Sequence, residues 1–517
     1  MSFVSPVAIA SAERSRVADM ASRPLLIALA LVALITAARL TGTVDSDVAW
    51  QLWIAGRMHE GANLYREIIE VNPPLWFWMA LPIDRIATLF QLRIESVLIV
   101  AIGCFTALSL AATDRLLDLA PPRRAMLLAF AAVALLGIPW VHIGQREQIV
   151  LIVSLPYAAL IAARRQGKPV SVPLAVVIGL IAGVGFALKH YFLIVPALLD
   201  LWLFVGQGSK WRWRRPETLT IVAVGAMYVT AVIAWAPAFL TDIVPLVRLS
   251  YGTLGAPSPL HLFGPFAVVG LALLGALVAH ANELRKGAPL ASALFVAGVG
   301  FAAVYFIQSK GWIYHVIPLL GCASLAIAAL LAESNASMSL LRLTGPALLV
   351  LPLVLTVQEQ LHPLLPSPDL EIAVAGVQPG ESVGFLSVET AVPWSVTLQH
   401  KFDYPSRYMG YWMLGAVVHN EVAGNPDPRL ASLGRQVIAE TVHDFTCASP
   451  RRIVVARPRR NEPGFDILTF FMRDPAFAEL LAHYRVTGRT SFEVYELKTP
   501  LVPATSGCLA QHLRVGR

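Results

Sequence analysis

Residues 73–85 read Pro73-Pro74-Leu75-Trp76-Phe77-Trp78-Met79-Ala80-Leu81-Pro82-Ile83-Asp84-Arg85. The apolar part is bounded by prolines and is about half as long as the ~20 residues a helix needs to cross a bilayer. How this stretch is counted sets the topology of everything after it. Eleven other runs are long enough to cross: one directly after residue 23, then runs near 94–113, 124–140, 148–163, 172–188, 190–206, 218–238, 262–281, 288–307, 312–331 and 341–357. With the N-terminus in the cytoplasm and the Pro73–Pro82 stretch left uncounted, every basic cluster between spans falls inside: Arg115/Arg123/Arg124, Arg164/Arg165/Lys168, Lys210/Arg212/Arg214/Arg215, Arg285/Lys286 and Arg342. That is the positive-inside pattern at each short loop. Counting the stretch as a span would put all of them outside, so it reads as a membrane-dipping or juxtamembrane segment.

The composition agrees with a polytopic membrane protein. Of 517 residues 56% are hydrophobic and 14% charged, with a mean hydropathy of +0.64; soluble domains run at about 45–50% and about 25%. Cytosolic enzymes, secreted disulfide scaffolds and disordered tails are excluded. The net charge of +7 is no sign of nucleic acid, because the basic residues sit in short clusters between apolar runs, as topology determinants do. Residues 1–23, with Arg14, Arg16 and Arg23, precede a run with no small-residue cleavage site and read as a cytoplasmic tail. Residues 24–358 then form a transmembrane domain whose first external loop is 42–93.

From about residue 365 the sequence becomes polar and turn-rich. Strand candidates Ser382–Val388, Arg452–Ala456 and Phe492–Leu497 alternate with helical patterns near Pro428–Phe445 and Pro475–Tyr484, which predicts a small α/β domain over 365–517. An odd number of spans places it outside the cell. There Cys447 and Cys508 have the oxidising surroundings in which a pair can form, whereas Cys104 and Cys322 lie inside apolar runs. No internal repeat, P-loop, GxGxxG or Ser-His-Asp pattern is present.

The same topology puts the conspicuous polar residues on the outer side: Asp45, Asp47 and Glu70 in the first loop; His142 and Gln145-Arg146-Glu147; Lys189-His190-Tyr191; and Gln308 to His315 with Lys310 and Tyr314. The plain reading of Asp45-Ser46-Asp47 is helix capping, in which a short polar side chain takes free backbone N–H groups. The chemical reading is a general base at the membrane surface, where partial desolvation lets a carboxylate accept a hydroxyl proton. Spacing does not separate them.

The loop as a whole carries a resemblance. A carboxylate after the first span, a short helix ending Ile54-Ala55-x-x-Met58, the turn Leu64-Tyr65, then Glu70-x-Asn72-Pro73-Pro74-Leu75 before an aromatic apolar run looks like the first loop of GT-C membrane glycosyltransferases. The closest groups are relatives of protein O-mannosyltransferases and lipid A aminoarabinose transferases. The resemblance implies a GT-C-like fold and transfer, with inversion, of a sugar from a polyprenyl-phosphate donor to a hydroxyl of a lipid-linked glycan, polysaccharide or protein. That chemistry would take place on the outer face of the plasma membrane, the inner membrane in bacteria. It places the acceptor-activating base on Asp47, with Asp45 and Glu70 as alternates. Two positions depart from the pattern: the acid that usually follows the base is Val48, and the Lys or His usual before the double proline is Asn72. Asn72, Tyr65 and Tyr314 remain substrate-contact candidates.

A phosphate leaving group needs cationic donors at the outer boundary. Lys189 and Lys310 are the first candidates, each beside an aromatic residue and near a histidine, with Arg146, His190 and His315 behind them. Snorkelling to the headgroups is the plain alternative for either lysine. The three histidines lie on separate loops without ligand spacing, so no metal is assigned, although a divalent ion is compatible with the chemistry. The competing class is a transporter or flippase, for which inverted repeats and polar residues at mid-membrane are the expected marks. A third reading, a polymerase or ligase acting on diphosphate-linked glycans, more often goes with arginine-rich external loops, and these loops are arginine-poor.

Overall fold

A computed structural model describes residues 23–254, 259–334, 367–424, 427–458 and 465–498. In chain order its main helices are α1 (Pro24–Arg39), α2 (Ser46–His59), α3 (Leu75–Phe90), α4 (Ile94–Asp114), α5 (Pro121–Gly137), α6 (Arg146–Arg165), α7 (Val172–Ala187), α8 (Ile194–Gln207), α9 (Pro216–Trp235), α10 (Val244–Leu254), α11 (Pro265–Ala279), α12 (Ala281–Gly287), α13 (Pro289–Gln308) and α14 (Ile313–Glu333). The later part adds β1 (Val383–Leu386), α15 (Leu414–Val422), α16 (Pro428–Ala448), β2 (Arg452–Ala456), β3 (Tyr484–Arg489) and β4 (Phe492–Leu497). The chain divides into two compact units. One comprises residues 1–42, 90–230 and 256–363, and the other 43–89, 231–255 and 364–517.

The first unit is helical. Among the described residues six helices are long and apolar enough to cross a membrane, or seven if the bent pair α11–α12 is one span. The expected runs directly after residue 23, at 124–140 and at 172–188 form α1, α5 and α7, which at 16, 17 and 16 residues fall short of the usual ~20. The run at 341–357 lies outside the described residues. Eleven spans are therefore not established by these helices. α6 is the hub: from Arg146 to Ala163 it is buried on every face, as expected of a helix that is apolar all round. Neighbours approach it through glycine. A Cβ on Gly321 of α14 would come within 2.3 Å of Leu151, and one on Gly185 of α7 within 2.5 Å of Val153, so the small residue is what lets each pair of helices pack. The end of α6 is fixed by charge, with Arg164 Nε and Nη2 each donating at 3.1 Å to the fully buried Glu217 carboxylate.

The second unit joins three separated segments. Its sheet has the order β1-β2-β4-β3, with β1 parallel to β2 and the other pairs antiparallel. α16 covers it, setting Phe445 against Gly384, where a Cβ would meet the ring at 2.7 Å. Three of the four strands lie where the sequence puts them, as do α16 and the short helix Pro475–Ala482, whereas α15 is not among the expected elements. β3 is the exception, because its alternation is mostly exposed and lacks the buried face that marks a strand. The segment 64–69 bridges to the rest of the unit, with Ile69 N donating to Arg407 O at 2.8 Å. Tyr65 meets Phe239 at 5.3 Å, and Tyr251 of α10 stacks on Trp412 at 5.0 Å. α3, the Pro-bounded stretch, is a 16-residue helix that buries Trp76, Phe77, Ala80, Asp84 and Ala87 along one side, and it is not among the helices able to span.

Arg407, which presents that backbone acceptor, is held by Asp444. Its backbone N and Nε both donate to Oδ2 at 3.1 Å, and Nη2 donates to Oδ1 at 2.7 Å. Asp444→Ala removes the closer of the two carboxylate partners of a mostly buried guanidinium, leaving Glu440 at 3.6 Å, and should destabilise this unit by about 1.5–3 kcal/mol. Asp444→Asn, which keeps an acceptor, should cost less. Thermal unfolding of the detergent-purified protein, followed by protease susceptibility of the C-terminal unit, reads both.

Candidate functional site

The first-loop carboxylates lie in the second unit and differ from one another. Asp45 is the N-cap of α2: its backbone is extended (φ −68°, ψ 165°) and Oδ1 accepts from Val48 N at 2.9 Å. The plain capping reading therefore holds for Asp45, whose side chain is buried. Asp47 lies in the first helical turn and is only partly buried. Glu70, 3% exposed, takes three donors: Trp50 Nε1 at 2.5 Å, Asn72 N at 2.7 Å and Asn72 Nδ2 at 2.6 Å. The Tyr65 hydroxyl closes the loop by donating to Asn72 O at 2.6 Å, with Tyr65 itself at φ +76° and buried. Glu70, Asn72, Tyr65 and Trp50 thus form a brace that shapes the loop. A carboxylate with three donors already on it is poorly disposed to take a substrate proton.

The tryptophans continue the brace. Trp50 and Trp53 stack at 4.9 Å, and Trp394 lies 4.9 Å from the first and 5.5 Å from the second. Tyr251 adds a group that spacing had not singled out for chemistry. Burial, then the Glu70 and Asp47 carboxylates, push its phenol up to about 12, so it stays a neutral hydroxyl under their field. Roughly 200 residues of sequence separate it from Asp47, and nothing in a linear pattern joins them.

The cationic candidates lie in the helical unit, and most are brought together. Arg146 and Glu147 open α6, Lys189 follows the last residues of α7, Gln308 ends α13 and His315 lies in the first turn of α14. Lys189 Nζ donates to Glu147 Oε1 at 2.6 Å and Gln308 Oε1 at 3.2 Å, and lies 3.2 Å from His315 Nε2. The Tyr314 ring sits 5.8 Å from the same ammonium, and the Trp312 ring 5.2 Å from His315. An ammonium has no acceptor, so His315 Nε2 must accept and its proton must be on Nδ1. His315 is therefore a neutral imidazole.

Several buried atoms of this group have no hydrogen-bond partner: Nε and Nη1 of Arg146, Oε2 of Glu147 and Nδ1 of His315. Arg146 is 2% exposed and Glu147 fully buried. Lys189, Arg146 and Lys310 all act electrostatically on the His315 ring. Lys310 sits in the turn between α13 and α14, where burial lowers its pKa from the usual lysine value; Gly311 after it has φ +69° and passes so close to His261 O that a Cβ would lie at 2.9 Å. His190 is not drawn in: it is exposed, with its ring against Tyr191 at 3.9 Å. Among the described residues no set of three or more His, Cys, Asp or Glu side chains is arranged to hold a metal ion.

The sequence matches no protein-family model and no curated protein. Solved structures do match. ArnT from Cupriavidus metallidurans in the apo state is similar at 14% identity with a TM-score of 0.50, over 91% of this chain and 97% of that one. The structure of ArnT from Cupriavidus metallidurans bound to undecaprenyl phosphate gives 14% identity and 0.47 over the same shares. At this identity the likeness is one of fold, and the chain has an ArnT-like fold, that of a polytopic helical membrane protein with a small C-terminal sheet.

Proposed function

We propose that the protein is an integral-membrane glycosyltransferase of GT-C type. It moves a sugar from a polyprenyl-phosphate donor to a hydroxyl of a lipid-linked glycan, polysaccharide or protein on the outer face of the plasma membrane. The observation that carries this reading is the buried guanidinium of Arg146, with Nε and Nη1 unpartnered beside Lys189 and Lys310. An unpaired buried cation is costly, and a phosphate is the anion that such a group of donors fits. The neighbour of like fold that was crystallised with undecaprenyl phosphate agrees with a lipid phosphate as ligand.

In this reading the acceptor hydroxyl gives its proton to Asp47 as its oxygen attacks the anomeric carbon. The bond from that carbon to the phosphate oxygen breaks, and the electron pair leaves with the polyprenyl phosphate, which passes from one negative charge to two. Attack opposite the leaving group inverts the anomeric centre. Arg146, Lys189 and Lys310 stabilise the charge as it develops, which is where preformed donors contribute most. Asp47 is assigned the base because Asp45 is committed to its cap and Glu70 to its three donors. The phenol of Tyr251, on which the Asp47 charge acts, would supply a neutral donor in this reading. The network residues lie at helix ends rather than at mid-span, which favours an enzyme over a transporter.

The disulfide-bonded state of Cys447 supports an extracytoplasmic C-terminal unit. Cys104 and Cys322 are free, and Cys508 lies outside the described residues.

Three outcomes test the reading. Purified protein given radiolabelled polyprenyl-phosphate sugars and a crude membrane acceptor should transfer label, and Asp47→Asn should lose about 10²–10⁴-fold of that rate with its unfolding temperature unchanged. Asp45→Asn, which still caps α2, should remain close to wild type; the reverse order would move the base to Asp45. Arg146→Ala should weaken undecaprenyl-phosphate binding by roughly 10- to 100-fold, the weight of a charge-assisted hydrogen bond or two. In intact cells Cys447 should resist a membrane-impermeant maleimide until an impermeant reductant is added; labelling without reductant would contradict the assignment.

A further inference from the structure

The connection between α8 and α9 contains Lys210-Trp211-Arg212-Trp213-Arg214-Arg215, four cations and two indoles in a row. Its inner side is fixed to the helical unit. Arg215 is buried: Nη2 donates to Asp200 Oδ1 and, at 3.1 Å, to Thr218 Oγ1, and Nε lies 3.4 Å from Glu217 Oε1. Trp211 is half-buried, with Nε1 3.4 Å from the same Asp200 oxygen and its ring edge-on to Phe204 at 5.4 Å. Just before it, Gln207 Nε2 donates to Arg164 O at 2.7 Å, which ties the connection to the end of α6. The other side is left to the surroundings. Lys210, Arg212 and Arg214 are exposed, and among the described residues none of them forms an ion pair, while the carboxylates of Asp200 and Glu217 are taken by Arg215 and Arg164. The Trp213 ring, 53% exposed, lies 5.0 Å from the Arg214 guanidinium.

The surface that borders these cations is apolar. Leu201, Phe204 and Val205 on α8 and Leu219 and Val222 on α9 are all exposed, as expected of helix faces that meet acyl chains. An indole at the end of an apolar helix prefers the headgroup level, and each unpaired Lys or Arg beside it strengthens binding to anionic lipid by about fivefold. We propose that this connection is a binding site for anionic phospholipids, with Lys210, Arg212 and Arg214 on the headgroup phosphate, Trp213 at the headgroup level and the acyl chains along α8 and α9. The site goes beyond the donor reading and does not depend on it: α6 runs 20 residues, about 30 Å, from its Arg146 end to the end where this connection is tied. By the positive-inside pattern that end faces the cytoplasm, so the lipid comes from the cytoplasmic leaflet.

The alternative is that any exposed basic cluster on this side draws anionic lipid by net charge alone. Arg285 and Lys286 are such a pair. Wild type, Arg212→Gln/Arg214→Gln and, with the same loss of charge, Arg285→Gln/Lys286→Gln would be purified in detergent and titrated with phosphatidylglycerol, phosphatidylcholine and undecaprenyl phosphate, bound lipid being counted by native mass spectrometry. Wild type should prefer phosphatidylglycerol to phosphatidylcholine. Arg212→Gln/Arg214→Gln should weaken phosphatidylglycerol binding by about 10- to 30-fold and leave the other two lipids bound as before, and Arg285→Gln/Lys286→Gln should match wild type throughout. Equal weakening in both variants reduces the effect to net charge and overturns the proposal, as does a wild type without preference. Displacement of phosphatidylglycerol from wild type by millimolar inorganic phosphate would make this a site for a free anion and overturn the lipid assignment. Loss of all three lipids together in Arg212→Gln/Arg214→Gln would put the effect in the fold and overturn it too. A wild type that binds phosphatidylglycerol as described but no undecaprenyl phosphate supports this site and sinks the donor reading instead.

Discussion

The contact between Lys189 and Glu147 at 2.6 Å is the constraint around which the helical unit is arranged. A buried lysine and a buried glutamate at helix ends cannot be solvated by lipid or packed side chains, and each has to find the other or remain as an isolated charge. Satisfying them fixes the start of α6 against the ends of α7 and α13 and the start of α14. Gln308 and His315 complete the set, and the choice of tautomer at His315 follows from the ammonium beside it. The far end of α6 is fixed by the same logic through Arg164 and Glu217. Between these two charged ends the helix is free to be apolar on all sides.

The second unit is held by a different device, a single carboxylate that gathers donors. Glu70 ties together an indole, a backbone N–H and a side-chain amide, and through Asn72 and Tyr65 it fixes the path of the loop between α2 and α3. The bridge from Ile69 to Arg407, itself anchored by Asp444, makes that loop part of the C-terminal unit. A carboxylate used this way is a structural acceptor. Asp47 lies outside that brace and is only partly buried. Val48, which follows it, and Asn72, which precedes the double proline, occupy positions where a second charge was expected, and the amide of Asn72 donates to Glu70.

A fold kept at 14% identity is consistent with how such a chain is specified. Lipid accepts any apolar residue on the outer face of a helix, so most positions are free to drift. The positions that are not free are small residues at close crossings, such as Gly321 and Gly185, and the charged groups at helix ends. These are few enough that whole-sequence comparison with families and curated proteins finds nothing, while the arrangement of helices still matches.

The sequence alone determined the class of protein and where most helices lie, because a run of about 20 apolar residues has few alternatives and basic clusters mark one side of the membrane. It also placed three of the four strands, whose buried alternation shows in the pattern, and it identified the residues that bear charge. It did not distinguish Asp45 from Asp47, or Glu70 the brace from Glu70 the base, since a cap, an acceptor and a general base use the same side chain at the same spacing. Tertiary structure supplied the partners that two of them have: Val48 N for Asp45, Trp50 and Asn72 for Glu70. It likewise drew Arg146, Glu147, Lys189 and His315 into one group and left His190 outside. Residues 42 to 169 positions apart become neighbours only when helices pack, and no periodicity along a chain encodes which helix ends meet.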